Sequence, residues 1–233
     1  MSTPNIVSQD EWLKARKDLL VKEKAFTKAR EEITAARMAM PWVLVDKDYR
    51  FSGEQGEVGL IDLFGYHSQL MLQHFMFETD WNAGCKGCSF MAEGINVSAV
   101  HLAQRDVATV AVSIAPLEKL LAFRERMGWD FTWVSSAGSE FNRDFGVSFS
   151  EQEVKDGKVQ YNFDDFKFPH VGELPGVSVF VKRENKVYRS YSCYARGLEN
   201  TMAAYNYLDL VPKGRDEDEL EYGHEWLKLR DSY

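Results

Sequence analysis

Between Ser8 and Met40 the chain contains neither Gly nor Pro, and Trp12, Leu19, Phe26, Ile33 and Met40 recur every seven residues with Ala15, Ala29 and Ala36 between them. Apolar positions at that interval line one side of a helix, so the pattern predicts an amphipathic helical arm over residues 1–40. Pro41 ends it, because a proline supplies no N–H and its ring clashes with the preceding turn. The seam is narrow and Lys22 interrupts it. Packing against the chain's own domain is its first expected use, and a homodimer through this helix is the second.

Beyond Pro41 the apolar runs shorten. Trp42–Val45 and Tyr49–Phe51 flank the polar Asp46-Lys47-Asp48 and predict a hairpin, and Leu60–Phe64 predicts a helical turn. Leu70–Phe77 is unbroken enough to be a strand covered on both faces. A helix should then run from Cys88 to His101 or Arg105, followed by a strand at Val107–Ile114, a helix from Pro116 to Gly128, and a strand at Phe131–Val134. That alternation is the pattern of a parallel sheet clothed in helices. Residues 135–174 break the rhythm and read as an excursion. After Pro175, Val177–Val181 and Val187–Tyr191 predict a closing hairpin through Arg183–Lys186, and a helix is expected from Leu198 to Leu208. The expected domain therefore spans residues 41–212, with a charged tail at 213–233 that Trp226 docks on it.

Chemistry enters at Asp80-Trp81-Asn82-Ala83-Gly84-Cys85-Lys86-Gly87-Cys88, directly after the predicted central strand. A thiol at a helix start is pushed towards thiolate by the free N–H groups and the dipole there. Cys88, three positions on, shares the helix face with Cys85 and lies within reach of a disulfide. The spacing points to Cys85 as the attacking sulfur and Cys88 as the resolving one, with the Lys86 ammonium favouring the thiolate. A peroxidase reading of the same loop wants Pro seven and Thr or Ser three residues before the reactive Cys. From Cys85 those positions hold Glu78 and Asn82, and from Cys88 they hold Trp81 and Cys85.

The order of elements, with C-x-x-C after a central strand and a proline before the closing hairpin, resembles the thioredoxin fold. More closely, HFMFETDWNAGCKGCSF, WVSSAGSEFNRDFGVSF and YRSYSCYARGLENTMAAYNYLDLVPKGRDED resemble the bacterial thioredoxin-like proteins grouped as domain of unknown function 899. The resemblance implies an α/β fold, a three-layer α/β/α sandwich around a mixed sheet, and a redox role. It makes Pro175 the counterpart of the cis-proline that faces the dithiol, and Trp81 a substrate-facing wall beside it. Cys193 stands where the family pattern carries Ser or Thr.

Composition trims the alternatives. The net charge of −8 leaves only residues 10–37 slightly basic, which argues against nucleic acid as partner. No apolar run approaches the roughly 18 residues of a membrane helix, and three cysteines do not make a secreted disulfide framework, so a cytoplasmic protein without a membrane partner is expected. The expected partner is a protein or small-molecule disulfide, and no cofactor is needed. Zinc wants four N or S ligands, usually as two close pairs, and one pair is present. Copper is the alternative: Cys85, Cys88 and His74 together make a soft set suited to Cu(I), although a histidine inside an apolar strand is more often a hydrogen-bonded core residue. The remaining histidines, His67, His101, His170 and His224, show no pairing spacing.

Overall fold

The computed structural model describes residues 5–165 and 170–233. It divides into two compact units, Met1–Pro41 and Trp42–Tyr233. In the first, α1 (Gln9–Met38) opens on a capping box: the Ser8 hydroxyl accepts the Glu11 N–H, and the Glu11 carboxylate accepts the Ser8 N–H at 3.0 Å. None of its residues is buried.

In the second unit, alternation of apolar strands and amphipathic helices produces the expected parallel core. The central strand β4 (Gln69–His74) leads through α2 (Lys86–Ala103) to β5 (Val107–Ser113), and α3 (Leu117–Met127) leads to β6 (Thr132–Ser135). β4 pairs parallel with β5, and β5 with β6. Leu120, Phe123 and Met127 form the buried stripe of α3, which ends where Gly128 turns left-handed at φ 68°. Both faces of β4 are covered: Leu70 and Leu72 pack with Phe64, Phe141 and Phe180, whereas Phe75 just beyond it packs under α2 and α3 with Trp133. This explains why the run Leu70–Phe77 is apolar on both faces, with only Gln73 and His74 interrupting it. Trp133 is wholly buried, and its indole N–H donates to Ser113 Oγ at 3.0 Å, which donates in turn to the Phe75 carbonyl at 2.6 Å.

The remaining strands extend this core on both sides. β11 (Gly176–Arg183) runs antiparallel to β4, and β12 (Lys186–Tyr194) antiparallel to β11, with Glu184 and Asn185 both at positive φ in the tight turn between them. The first expected hairpin does not form. Val43–Val45 (β1) instead pairs with β12 at one sheet edge, while Arg50–Gly53 (β2) turns through Glu54-Gln55 to pair with Gly56–Gly59 (β3) at the other. Asp46–Asp48 is thus a link between opposite edges, and the reversal lies where Gly56 takes φ 113°, a conformation glycine enters without strain. The expected helix at 198–208 is also divided, into a 3₁₀ segment Ala195–Thr201 and an α-helix Ala203–Leu208, because Met202 sits at ψ 85°.

The excursion after β6 is short elements closed at the base. Phe141–Asp144 forms α4, Ser148–Phe149 (β7) pairs with Gly172–Glu173 (β10), and Gln160–Tyr161 (β8) pairs with Asp164–Asp165 (β9). α4 supplies the layer opposite α2 and α3, placing Phe141 and Phe145 over His74. A buried polar chain anchors it: Ser136 Oγ lies 3.0 Å from Asn142 Oδ1, and the Asn142 amide donates to the Glu173 carboxyl. In the tail, Leu227 and Leu229 are buried and Arg126 pairs with Asp231 at 2.7 Å.

Truncating Trp133 to Ala should cost about 3–5 kcal/mol, since it opens a large cavity and leaves Ser113 without its indole donor. Urea unfolding followed by far-UV circular dichroism measures this, and a loss below about 1 kcal/mol contradicts the role given to that residue.

Candidate active site

The dithiol is built at the carboxyl end of β4. Extended backbone continues past His74, since the Phe75 N–H reaches Val112 O at 2.9 Å and the Phe77 carbonyl accepts Ala115 N–H at 3.0 Å. The chain then loops out and returns, and its return is fixed at three points. Lys119 of α3 donates to the carbonyls of Thr79 and Trp81 at 2.7 and 2.9 Å. Gly84 lies against two rings: a Cβ there would stand 2.6 Å from Phe75 and 3.0 Å from Phe123. The Cys85 N–H closes the loop on the Met76 carbonyl at 3.0 Å.

Cys85 is the N-cap residue of α2, and Cys88 lies one turn in. Cys88 is buried, with its sulfur accepting the Met76 N–H at 3.4 Å and its carbonyl accepting the Gln73 side-chain amide at 3.0 Å. Cys85 is half-buried, and neither it nor Cys88 is in a disulfide. Their acidities are driven apart. A hydrogen bond from the Cys88 thiol to the Cys85 sulfur, joined by the N–H groups of Cys88 and Gly87, outweighs burial and brings Cys85 down to about 6. The same bond, burial and the neighbouring negative sulfur push Cys88 well above the ordinary thiol range. Lys86, expected to favour the thiolate, is exposed and takes no part among the forces acting on Cys85. The partner thiol and the helix N-terminus do that work.

The other expected site residues fare differently. Trp81 is half-buried and packs with Met76, Ala83 and Cys85 against the core under α2 and α3. Pro175 immediately precedes Gly176, which is in register with His74, so it stands beside the strand end from which the dithiol loop leaves. Its peptide bond is trans, as are all the described ones, and the cis-proline expectation fails. The excursion holds this segment extended on both sides: Leu174 N–H bonds Val147 O at 2.8 Å, and the Pro175 carbonyl accepts the Tyr161 hydroxyl at 2.6 Å.

His74 does not join the dithiol. Strand alternation turns its ring to the α4 face, where Nε2 lies 2.9 Å from Ser178 Oγ and the ring stacks on Phe141 at 5.6 Å. Burial brings it down to about 3, so the ring is neutral. The expected copper set of Cys85, Cys88 and His74 is therefore not assembled, and no group of three metal-ligating side chains comes together among the described residues. Cys193 pairs in register with Val177 and packs in the cluster around Met91 and Leu198. Gln73, Lys119 and Tyr161 escaped the sequence reading, since a lone polar residue in a strand, helix or loop carries no spacing signal. Gly84, directly before the first thiol, was the one detectable in principle.

A β–α–β–α–β parallel core, an antiparallel hairpin added beside its central strand, and two cysteines where that strand meets its helix define a thioredoxin-like protein. The chain belongs to the family described as bacterial protein of unknown function (DUF899), whose model matches residues 1–233. No curated protein matches the chain significantly. Similar solved structures include the peroxidoxin BcpB of Mycobacterium tuberculosis (16% identity, 71% of this chain and 96% of that one, TM-score 0.45). A putative thiol:disulfide interchange protein DsbE from Chlorobium tepidum is similar at 17% identity over 71% of this chain and 98% of its own, TM-score 0.44. Plasmodium yoelii thioredoxin peroxidase I gives 12% identity, 74% and 94% coverage and a TM-score of 0.46. Among the described residues no helix is long and apolar enough to cross a membrane.

Thiolate absorbance near 240 nm should rise with a midpoint near pH 6 in the reduced protein, and Cys88→Ala should move that midpoint upward by removing the largest favourable contact. Because the folded-state pKa is depressed, the associated stability is complete above the unfolded thiol's roughly 8.5 and is lost as pH falls through about 6. Urea titrations of the reduced protein and of Cys85→Ser across that window should diverge on the alkaline side. An unchanged midpoint in Cys88→Ala contradicts the assigned cause.

Proposed function

We propose that the protein is a thiol–disulfide oxidoreductase whose substrate is a protein or small-molecule disulfide. One observation carries the reading: a partly buried thiol at the N-cap of α2 is hydrogen-bonded by a buried thiol one turn on, an arrangement that draws Cys85 down to about 6 and pushes Cys88 up. Cys85 Sγ⁻ attacks one sulfur of the substrate, a bond forms between those two sulfurs, and the substrate's S–S bond breaks with its second sulfur leaving as thiolate. The mixed disulfide removes the negative charge that kept Cys88 protonated. Cys88 then gives up its proton, attacks Cys85 Sγ, and releases the first substrate sulfur as a thiol once protonated. Two electrons pass from the dithiol to the substrate, and an external dithiol must restore them. A nucleophile this acidic also leaves readily, which makes the Cys85–Cys88 disulfide comparatively oxidising.

Trp81 and Pro175 flank the approach to Cys85 in this reading, Trp81 as an apolar wall and Pro175 as the edge held by Tyr161. No cofactor takes part, and the reducing compartment that suits free thiols is the cytoplasm. Loss of His74 from the site leaves copper without a third ligand, so dithiol exchange is the one reading advanced.

Cys85→Ser should abolish reduction of a model disulfide such as a glutathione mixed disulfide. Cys88→Ser should retain attack but stall, accumulating a covalent adduct on Cys85 visible by intact mass. If Cys85→Ser reduces the substrate at the wild-type rate, or if Cys88→Ser turns over without an adduct, the mechanism is wrong.

A further inference from the structure

The helix α1 carries large apolar side chains that the fold leaves uncovered: Trp12, Leu19, Phe26 and Ile33 are 52%, 51%, 69% and 53% exposed. We propose that this arm forms an antiparallel two-helix coiled coil with the same arm of a second copy of the chain. Their spacing is the first argument. A strict seven-residue repeat drifts about 20° per heptad on a straight helix, roughly 60° from Trp12 to Ile33, a drift that a left-handed supercoil removes. Wound around another helix, it keeps the four side chains in one seam. Within this chain, the next longest described helix is α2 with 18 residues, and its apolar face of Cys88, Met91, Ala92 and Ile95 is already buried. A second copy of the chain supplies a helix that matches α1 in length.

The seam is also self-complementary. With Trp12, Leu19, Phe26 and Ile33 at one core position, Ala15, Lys22, Ala29 and Ala36 occupy the other. Run antiparallel, Leu19 faces Ala36 and Phe26 faces Ala29 of the second copy, large against small in each layer. Lys22 then lies opposite Ile33, where its stem can pack and its ammonium reach water. A parallel arrangement sets Lys22 against its own copy. The flanking charges agree in part: the antiparallel register brings Glu23 beside Arg30 of the second copy twice, with Arg16 and Arg37 meeting only near the ends. In this register Trp12 falls beyond the end of the second copy's helix, so the seam is Leu19, Phe26 and Ile33 of both copies; at roughly 100 Å² each they bury about 600 Å², the scale of a weak, concentration-dependent dimer below roughly 1,200 Å².

Light scattering on the full chain with reductant present, from micromolar to hundreds of micromolar, should give twice the 26.8 kDa chain mass at the upper end. Leu19→Asp combined with Phe26→Asp should weaken association at least about 100-fold, because two charges per chain enter the seam. Lys22→Leu should strengthen it. Thiolate titration of each variant, unchanged from the parent, shows that the dithiol domain remains folded and keeps this test separate from the dithiol chemistry. A Leu19→Cys, Ala36→Cys chain in which Cys85, Cys88 and Cys193 are Ser should oxidise to a covalent dimer, while Leu19→Cys alone should not. A monomer throughout, a dimer insensitive to the Asp pair, or efficient cross-linking through Leu19→Cys alone overturns the proposal.

Discussion

Met76 commits both of its backbone polar groups to the two cysteines. Its N–H donates to the Cys88 sulfur and its carbonyl accepts the Cys85 N–H. Those bonds tie the end of the central strand to the start of α2, so the position of each sulfur is set by the sheet. Everything that fixes β4 therefore fixes the thiols: parallel pairing with β5, antiparallel pairing with β11, and the aromatic packing of Phe75 and Trp133 beneath. With the sulfurs held this way, the Cys88-to-Cys85 hydrogen bond can separate two chemically identical groups into a thiolate and a thiol. A looser loop would average that difference away.

Elements whose physics is local were legible in the sequence. The periodicity of α2 and α3, the glycine that ends α3, the alternating strands and the Arg183–Lys186 turn all appear where spacing and turn chemistry put them. The pairing partners of short strands were not legible. Val43–Val45 and Arg50–Gly53 are too brief to declare which edge they join, and although consecutive in the chain they lie on opposite sides of the sheet. The site divides the same way. Cys85 and Cys88 announce themselves through spacing and a helix start, but the source of the low Cys85 pKa does not. The charged neighbour Lys86 drew the inference because charge is visible in a sequence, whereas a thiol-to-thiol hydrogen bond exists only once the turn of helix is formed. For His74 the core reading holds and the alternative copper ligand does not, since proximity along a strand says nothing about which face a side chain takes.

The two faces of the sheet consequently have separate chemistries. Under α2 and α3 lie the dithiol, Gln73 and the aromatic cluster of Phe75, Phe123 and Trp133. On the opposite face, His74, Ser178 and Ser192 form a polar chain inside an aromatic shell, with 2.9 and 3.0 Å links, that leaves His74 Nδ1 without a hydrogen-bond partner among the described residues. That chain links β4, β11 and β12, and it binds the closing hairpin to the central strand without touching the thiols.

The base of the excursion is closed by the pairing of β7 with β10, so its two ends leave the sheet side by side. Chain length at the exposed tip, residues 156–158, is thereby uncoupled from the register of β11, and adding residues there alters loop-closure entropy only slowly, whereas Tyr161 further on is anchored by its bond to the Pro175 carbonyl. That tip is a natural place for an affinity tag or reporter to be spliced in while the spacing between the dithiol and the closing hairpin stays the same.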